Sequence, residues 1–82
     1  MPLDAKDAGY LLDMLEHARG VKRAVQNRSV AEYLADEDLR FAIERRIEII
    51  GEAANRISRS VQDAHPEIPW HKIVAQRNVL AH

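Results

Sequence analysis

The sequence has no cysteine, so neither a disulfide framework nor a thiolate metal site can stabilise it, and this usage suits a reducing cytoplasm. Three glycines and three prolines in 82 residues are too few for a turn-rich β fold or a flexible low-complexity segment. No apolar run approaches the length that spans a bilayer. Asp4 and Asp7 stand where a secretory signal would carry positive charge, and the reading is of a soluble chain with no membrane contact. There is no excess of basic charge either. The formal net charge is −1 with 30% charged residues, so a nucleic-acid partner has to be met at a local patch. Neither an internal repeat nor a glycine-rich phosphate loop is found, and no His-x-x-x-His or Cys-x-x-Cys pair offers metal ligands. Neither a metal nor a cofactor is expected.

What is present is helical patterning in a single domain over residues 1–82. A chain this short buries only a modest share of its surface, which points to a partner subunit. Asp4 is a good N-cap, and Leu11, Met14, Leu15, Ala18, Val21 and Val25 recur at helical spacing to predict a first helix from Asp4 to Val25. Gly20 lies inside it and costs about 1 kcal/mol relative to Ala unless a neighbour packs close. Ser29 and Glu32 have the form of a capping box ahead of a short helix over Tyr33 and Leu34.

Asp36 and Asp38 offer the next N-terminus. From Leu39, the residues Ile43, Ile47, Ile50, Ala54, Ile57 and Val61 predict one long helix that ends at Ala64, His65 and Pro66. Arg45, Glu52, Arg56 and Arg59 on its opposite face read as a solvated stripe with weak ion pairs. Ala42, Arg46, Ile49 and Ala53 form a second stripe that another helix or a second subunit would cover. Gly51 borders the main stripe, where a missing side chain lets another helix approach. After a stiff loop from Pro66 to Pro69, a last helix is predicted with Trp70, Ile73, Val74 and Leu80 or Ala81 facing inward.

Chemistry reduces to histidines and arginines. His17, His65 and His71 read as surface or partly buried structural residues. Arg77, Asn78 and His82 differ, because they crowd one helix end and combine a permanent cation, an amide and a group that titrates near neutrality. Arg77 and His82 stand about 140° apart on a regular helix, so the long arginine side chain has to reach across. Metal-free RNA cleavage needs a proton acceptor, a proton donor and positive charge at the phosphoryl oxygens while the ribose 2′-hydroxyl attacks phosphorus. Imidazole and guanidinium supply these. Alone, however, Arg-x4-His is a short motif that chance produces often.

The run Ile47-Glu48-Ile49-Ile50-Gly51-Glu52-Ala53 resembles the long helix of HepT-like proteins of the HEPN superfamily. So do the loop Pro66-Glu67-Ile68-Pro69-Trp70 and the sequence Arg77-Asn78-Val79-Leu80-Ala81-His82. The resemblance is close from Leu39 onward and loose to Leu34. It implies an all-α, antiparallel helical bundle that forms a homodimer, bringing two Arg and His motifs into one cleft. It further implies the toxin of a type VII toxin–antitoxin pair, a metal-independent ribonuclease restrained by a minimal nucleotidyltransferase antitoxin. By position, Arg77 would bind or polarise phosphate, His82 would act as general acid or base, and Asn78 would orient substrate or the imidazole.

The family motif continues with one further residue, then a tyrosine that the antitoxin modifies with adenylate, then more helix. Tyr10 and Tyr33 do not match that tyrosine. The expectation is a chain that lacks the C-terminal segment, with turnover belonging to a longer parent. Two other readings stand beside the toxin: a non-catalytic helical subunit that holds a nucleotide or pairs with a nucleotidyltransferase, and a purely structural helical dimer.

Overall fold

A computed structural model describes residues 3–81, with side-chain surroundings through residue 79. Among the described residues there are five helices and no strand: α1 (Ala5–Val25), α2 (Val30–Ala35), α3 (Glu37–Arg56), α4 (Arg59–Ala64) and α5 (Trp70–Ala81). The all-α class follows directly. α3 is the central element, packed against α1 on one side and α5 on the other. The predicted inward position of Leu80 or Ala81, and the whole of His82, fall outside what is described.

Local chemistry explains most helix ends. Asp4 caps α1, its side chain accepting from the Lys6 amide at 2.7 Å. Asn27 turns the chain after α1 with a φ of 65°, a left-handed conformation that asparagine tolerates better than most residues. The capping box is complete: Ser29 Oγ accepts from the Glu32 amide at 3.1 Å, and Glu32 accepts from the Ser29 amide at 3.2 Å. Asp36 ends α2 and starts α3, accepting from the Leu39 amide at 3.0 Å.

The single long helix predicted through Val61 is instead broken at Ile57 and Ser58. Asp7, only 6% exposed, accepts from both the backbone amide of Ser58 at 2.9 Å and its hydroxyl at 2.7 Å. These bonds hold Ser58 in an extended conformation, with φ −58° and ψ 149°. Gln62 donates to the carbonyls of Ala54 and Ile57, each at 3.1 Å, and so satisfies acceptors freed at the end of α3. The apolar register survives the break. Ala54, Ile57 and Trp70 form the buried core, with Tyr10, Leu11, Met14, Val61, Ile68, Ile73 and Val74 packed around them. Trp70 donates its indole N–H to the His65 carbonyl at 3.0 Å, fixing the loop ahead of α5.

The predicted face of α1 is covered in part. Leu11, Met14 and Val21 are half-buried, whereas Leu15 and Val25 are exposed, α3 being the helix that chiefly packs on this one among the described residues. In the second stripe of α3, Ala53 is buried, Ile49 is half-buried and Ala42 is exposed. Gly20 is buried where the Arg46 guanidinium lies over it, and Arg46 meets His17 Nδ1 at 3.1 Å.

Candidate active site

Gly51 and Glu52 place Arg77. A Cβ built on Gly51 would run into the Cβ and Cγ of Arg77 and would stand 3.1 Å from the Ile73 carbonyl, so the missing side chain is what lets α5 lie this close to α3. The next residue then reaches across. Glu52 Oε2 accepts from Arg77 Nη2 at 2.6 Å, while Glu52 Oε1 accepts from Arg56 Nε at 2.8 Å. Arg77 Nη1 donates to Asn78 Oδ1 at 2.8 Å. Arg77 is therefore held on both terminal nitrogens, with further N–H groups left for another ligand.

Two arginines share the one Glu52 carboxylate. The hydrogen bond from Arg56, with the charge of Arg77 added to it, holds the Glu52 carboxyl below its ordinary range despite partial desolvation. The same bond raises the Arg56 guanidinium, with the Tyr10 hydroxyl as the next contributor. Glu52 and Arg56 thus stay charged at neutral pH.

A cleft of about 570 Å³ opens over α3 in front of this triad. Tyr10 and Asp13 line it from α1, Arg45 and Glu48 from α3, and Arg77 from α5. Its volume lies in the range of small-ligand sites, about 300–1,000 Å³. Arg45 pairs with Glu48 at 3.3 Å. His17, His65 and His71 all lie away from this cleft. His65 meets Glu67 at 3.0 Å on the exposed loop, and that contact, after the Glu67 backbone amide, holds the Glu67 carboxyl below its usual range. His71 is exposed at the start of α5.

Of the residues singled out in the sequence, Arg77 and Asn78 come together; His82 lies outside the described residues. By sequence pattern Glu52 is one member of a solvated stripe, and its partnership with Arg77 emerges only in the fold. The available signal was its position directly after Gly51, the one place where the helix surface admits a close neighbour. Among the described residues, no group of three or more His, Cys, Asp or Glu side chains is arranged to hold a metal ion.

The profile of the family described as Ribonuclease HepT-like matches residues 14–82. The chain is 34% identical over 73 residues to the protein named "Putative RNase MJ1380" of Methanocaldococcus jannaschii, covering 89% of this chain and 67% of that protein. It is likewise 34% identical over 73 residues to "Probable ribonuclease HepT" of Thermococcus cleftensis, covering 89% and 66%. The chain thus spans about two thirds of the length of these relatives. No solved structure is a significant match. With the match running through the whole of α3, the Glu52–Arg77 contact and the Arg-x4-His motif, the chain belongs to the HepT-like ribonuclease family.

Proposed function

We propose that the protein is a metal-independent endoribonuclease, the toxin half of a toxin–antitoxin pair, working in a cleft formed by two copies of the chain. The observation that carries the reading is Arg77, presented at a cleft by Glu52 and Asn78 within a chain of this family. A guanidinium fixed in this way meets phosphoryl oxygens with little further ordering, which is how a preorganised cation stabilises developing charge.

In the proposed reaction the ribose 2′-hydroxyl loses its proton to a His82 imidazole and its oxygen bonds to the adjacent phosphorus. The bond from phosphorus to the 5′-oxygen breaks, and a proton is delivered to that oxygen. The products are a 2′,3′-cyclic phosphate and a 5′-hydroxyl end. One imidazole cannot begin as both acceptor and donor, so a dimer cleft with two His82 copies supplies the base from one subunit and the acid from the other. DNA, without the 2′-hydroxyl, is not a substrate. Asn78, bonded to Arg77, orients the guanidinium as well as the substrate. Under this reading the partners are RNA, a second copy of the chain and a minimal nucleotidyltransferase antitoxin, and the site of action is the cytoplasm.

Expression of the protein at the full length of its relatives tests this. Growth arrest should be abolished by Arg77→Ala and by His82→Ala, with the dimer intact in both. RNA cut by the wild type should carry cyclic phosphate ends. Toxicity undiminished in either variant would remove that residue from the mechanism. A wild type that pairs with the nucleotidyltransferase but cuts no RNA would mark a binding module instead.

A further inference from the structure

The Arg77 cleft is chemically lopsided. Three carboxylates line it, and two are already committed to arginines: Glu48 to Arg45, and Glu52 to Arg56 and Arg77. Asp13 is different, being exposed and forming no hydrogen bond or ion pair among the described residues. It stands three positions beyond Tyr10, so the two occupy the same face of α1, and both line the cleft. Tyr10 is the only aromatic side chain among the described residues lining it. It is half-buried and packs against the core at Ala54, Ile57 and Trp70, which fixes its ring.

This arrangement has a direction. Arginines of α3 and α5, paired with Glu48 and Glu52, line the cleft where a phosphate would sit, and α1 adds an aromatic ring, its hydroxyl toward Arg56, and the unpaired anion of Asp13. An anion repels the RNA backbone, so Asp13 is badly placed to hold phosphate and well placed to accept hydrogen bonds from a base. Single-stranded RNA is read in this manner, by stacking on aromatic rings and hydrogen bonding along base edges. Among the four bases, guanine alone presents two adjacent donors, N1–H and the N2 amino group, to a single carboxylate. Adenine and cytosine set an acceptor beside their amino group, and uracil flanks its one donor with two carbonyls.

We propose that Tyr10 and Asp13 form a guanine subsite of this cleft, Tyr10 stacking on the base and Asp13 accepting from its N1–H and N2–H groups while the neighbouring phosphate lies toward Arg77. The inference rests on the ribonuclease reading and adds a base preference to it. Asp13 and Tyr10 are positioned to select substrate; neither takes part in proton transfer.

The test is fluorescence anisotropy with short 2′-O-methyl oligouridylates, which cannot be cleaved, each carrying one central guanine, adenine, cytosine or uracil. Wild type should bind the guanine oligonucleotide about tenfold or more tightly than the other three, the discrimination that a bidentate base contact supplies. Asp13→Asn should erase that preference and leave affinity for the all-uridine strand unchanged or slightly higher. Because Asp13 is exposed and unbonded, this variant keeps the fold. Tyr10→Leu should weaken all four about tenfold, by loss of stacking, whereas Tyr10→Phe should not. Equal binding of the four bases by wild type, or a guanine preference that survives Asp13→Asn, would overturn the subsite and leave the ribonuclease reading standing. Failure of wild type to bind any of the RNAs would overturn both.

Discussion

At the scale of single residues, Glu52 organises the site. Its carboxylate accepts from Arg56 at 2.8 Å and Arg77 at 2.6 Å, so removing its charge releases two arginines at once. Glu52→Gln keeps the shape but can no longer attract both cations. Cleavage should fall by about ten- to a hundredfold, the scale at which a small misplacement of a reacting group is felt. Steady-state rates measured beside a circular dichroism spectrum that matches wild type check this. Asp7 is the structural counterpart. Bonds from Ser58 hold its carboxyl below the ordinary value, so the charged form is favoured in the folded chain. Its contribution to stability is complete above the unfolded carboxylate pKa, about 3.9, and is lost as pH falls through its lower folded value. Thermal unfolding should therefore find Asp7→Asn several degrees less stable than wild type from pH 7 down to about 5, with the gap closing below about pH 4.

At the scale of helices, two glycines that look alike in the sequence behave differently. A methyl group on Gly51 meets the Cβ and Cγ of Arg77, close to that residue's own backbone, whereas one on Gly20 meets the far end of the Arg46 side chain, which can swing away. Replacing either by Ala gains about 1 kcal/mol of helix propensity. At Gly51 overpacking costs about 1–3 kcal/mol, and α5 has to shift away from α3, so Gly51→Ala should lower both stability and cleavage. Gly20→Ala should leave cleavage unchanged and raise Tm slightly. Denaturation midpoints and rates on the pair separate the two cases. The same contrast between near and far partners governs what the sequence reveals. The Ser29–Glu32 capping box and the Asp4 and Asp36 caps are legible because each partner lies within one turn. The break at Ser58 is not, since its cause is Asp7, on a different helix and 51 positions away. Arg77 is legible through its motif, but Glu52, 25 positions away, is not. Periodicity finds the core at Ala54, Ile57 and Trp70 through either reading, because the break preserves the apolar register.

At the scale of the whole molecule, the chain alone is thinly covered. A folded protein of 9.4 kDa ordinarily exposes about 5,000 Å²; this one exposes 6072 Å². Its radius of gyration is 14.0 Å, against about 12 Å for a compact domain of this length. Among the described residues, Ala54 is the only core residue with no measurable exposure, whereas Leu12, Leu15 and Phe41 are each about half exposed. The excess of about 1,000 Å² is close to the surface that one partner contributes to a standard interface. That leaves room for the association between copies proposed above. Specific cleavage activity should then drop on dilution through the dimer dissociation range, in parallel with the mass seen by light scattering. Constant specific activity across that range would place the whole reaction within one subunit.

The most direct test of the central claim is RNA cleavage in the presence of EDTA by the protein at the full length of its relatives, unmodified and dimeric, beside its His82→Ala variant. Cleavage by the wild type that is lost in the variant is the predicted result. A folded wild-type dimer that leaves RNA intact, or a variant that cuts as well as wild type, would contradict it.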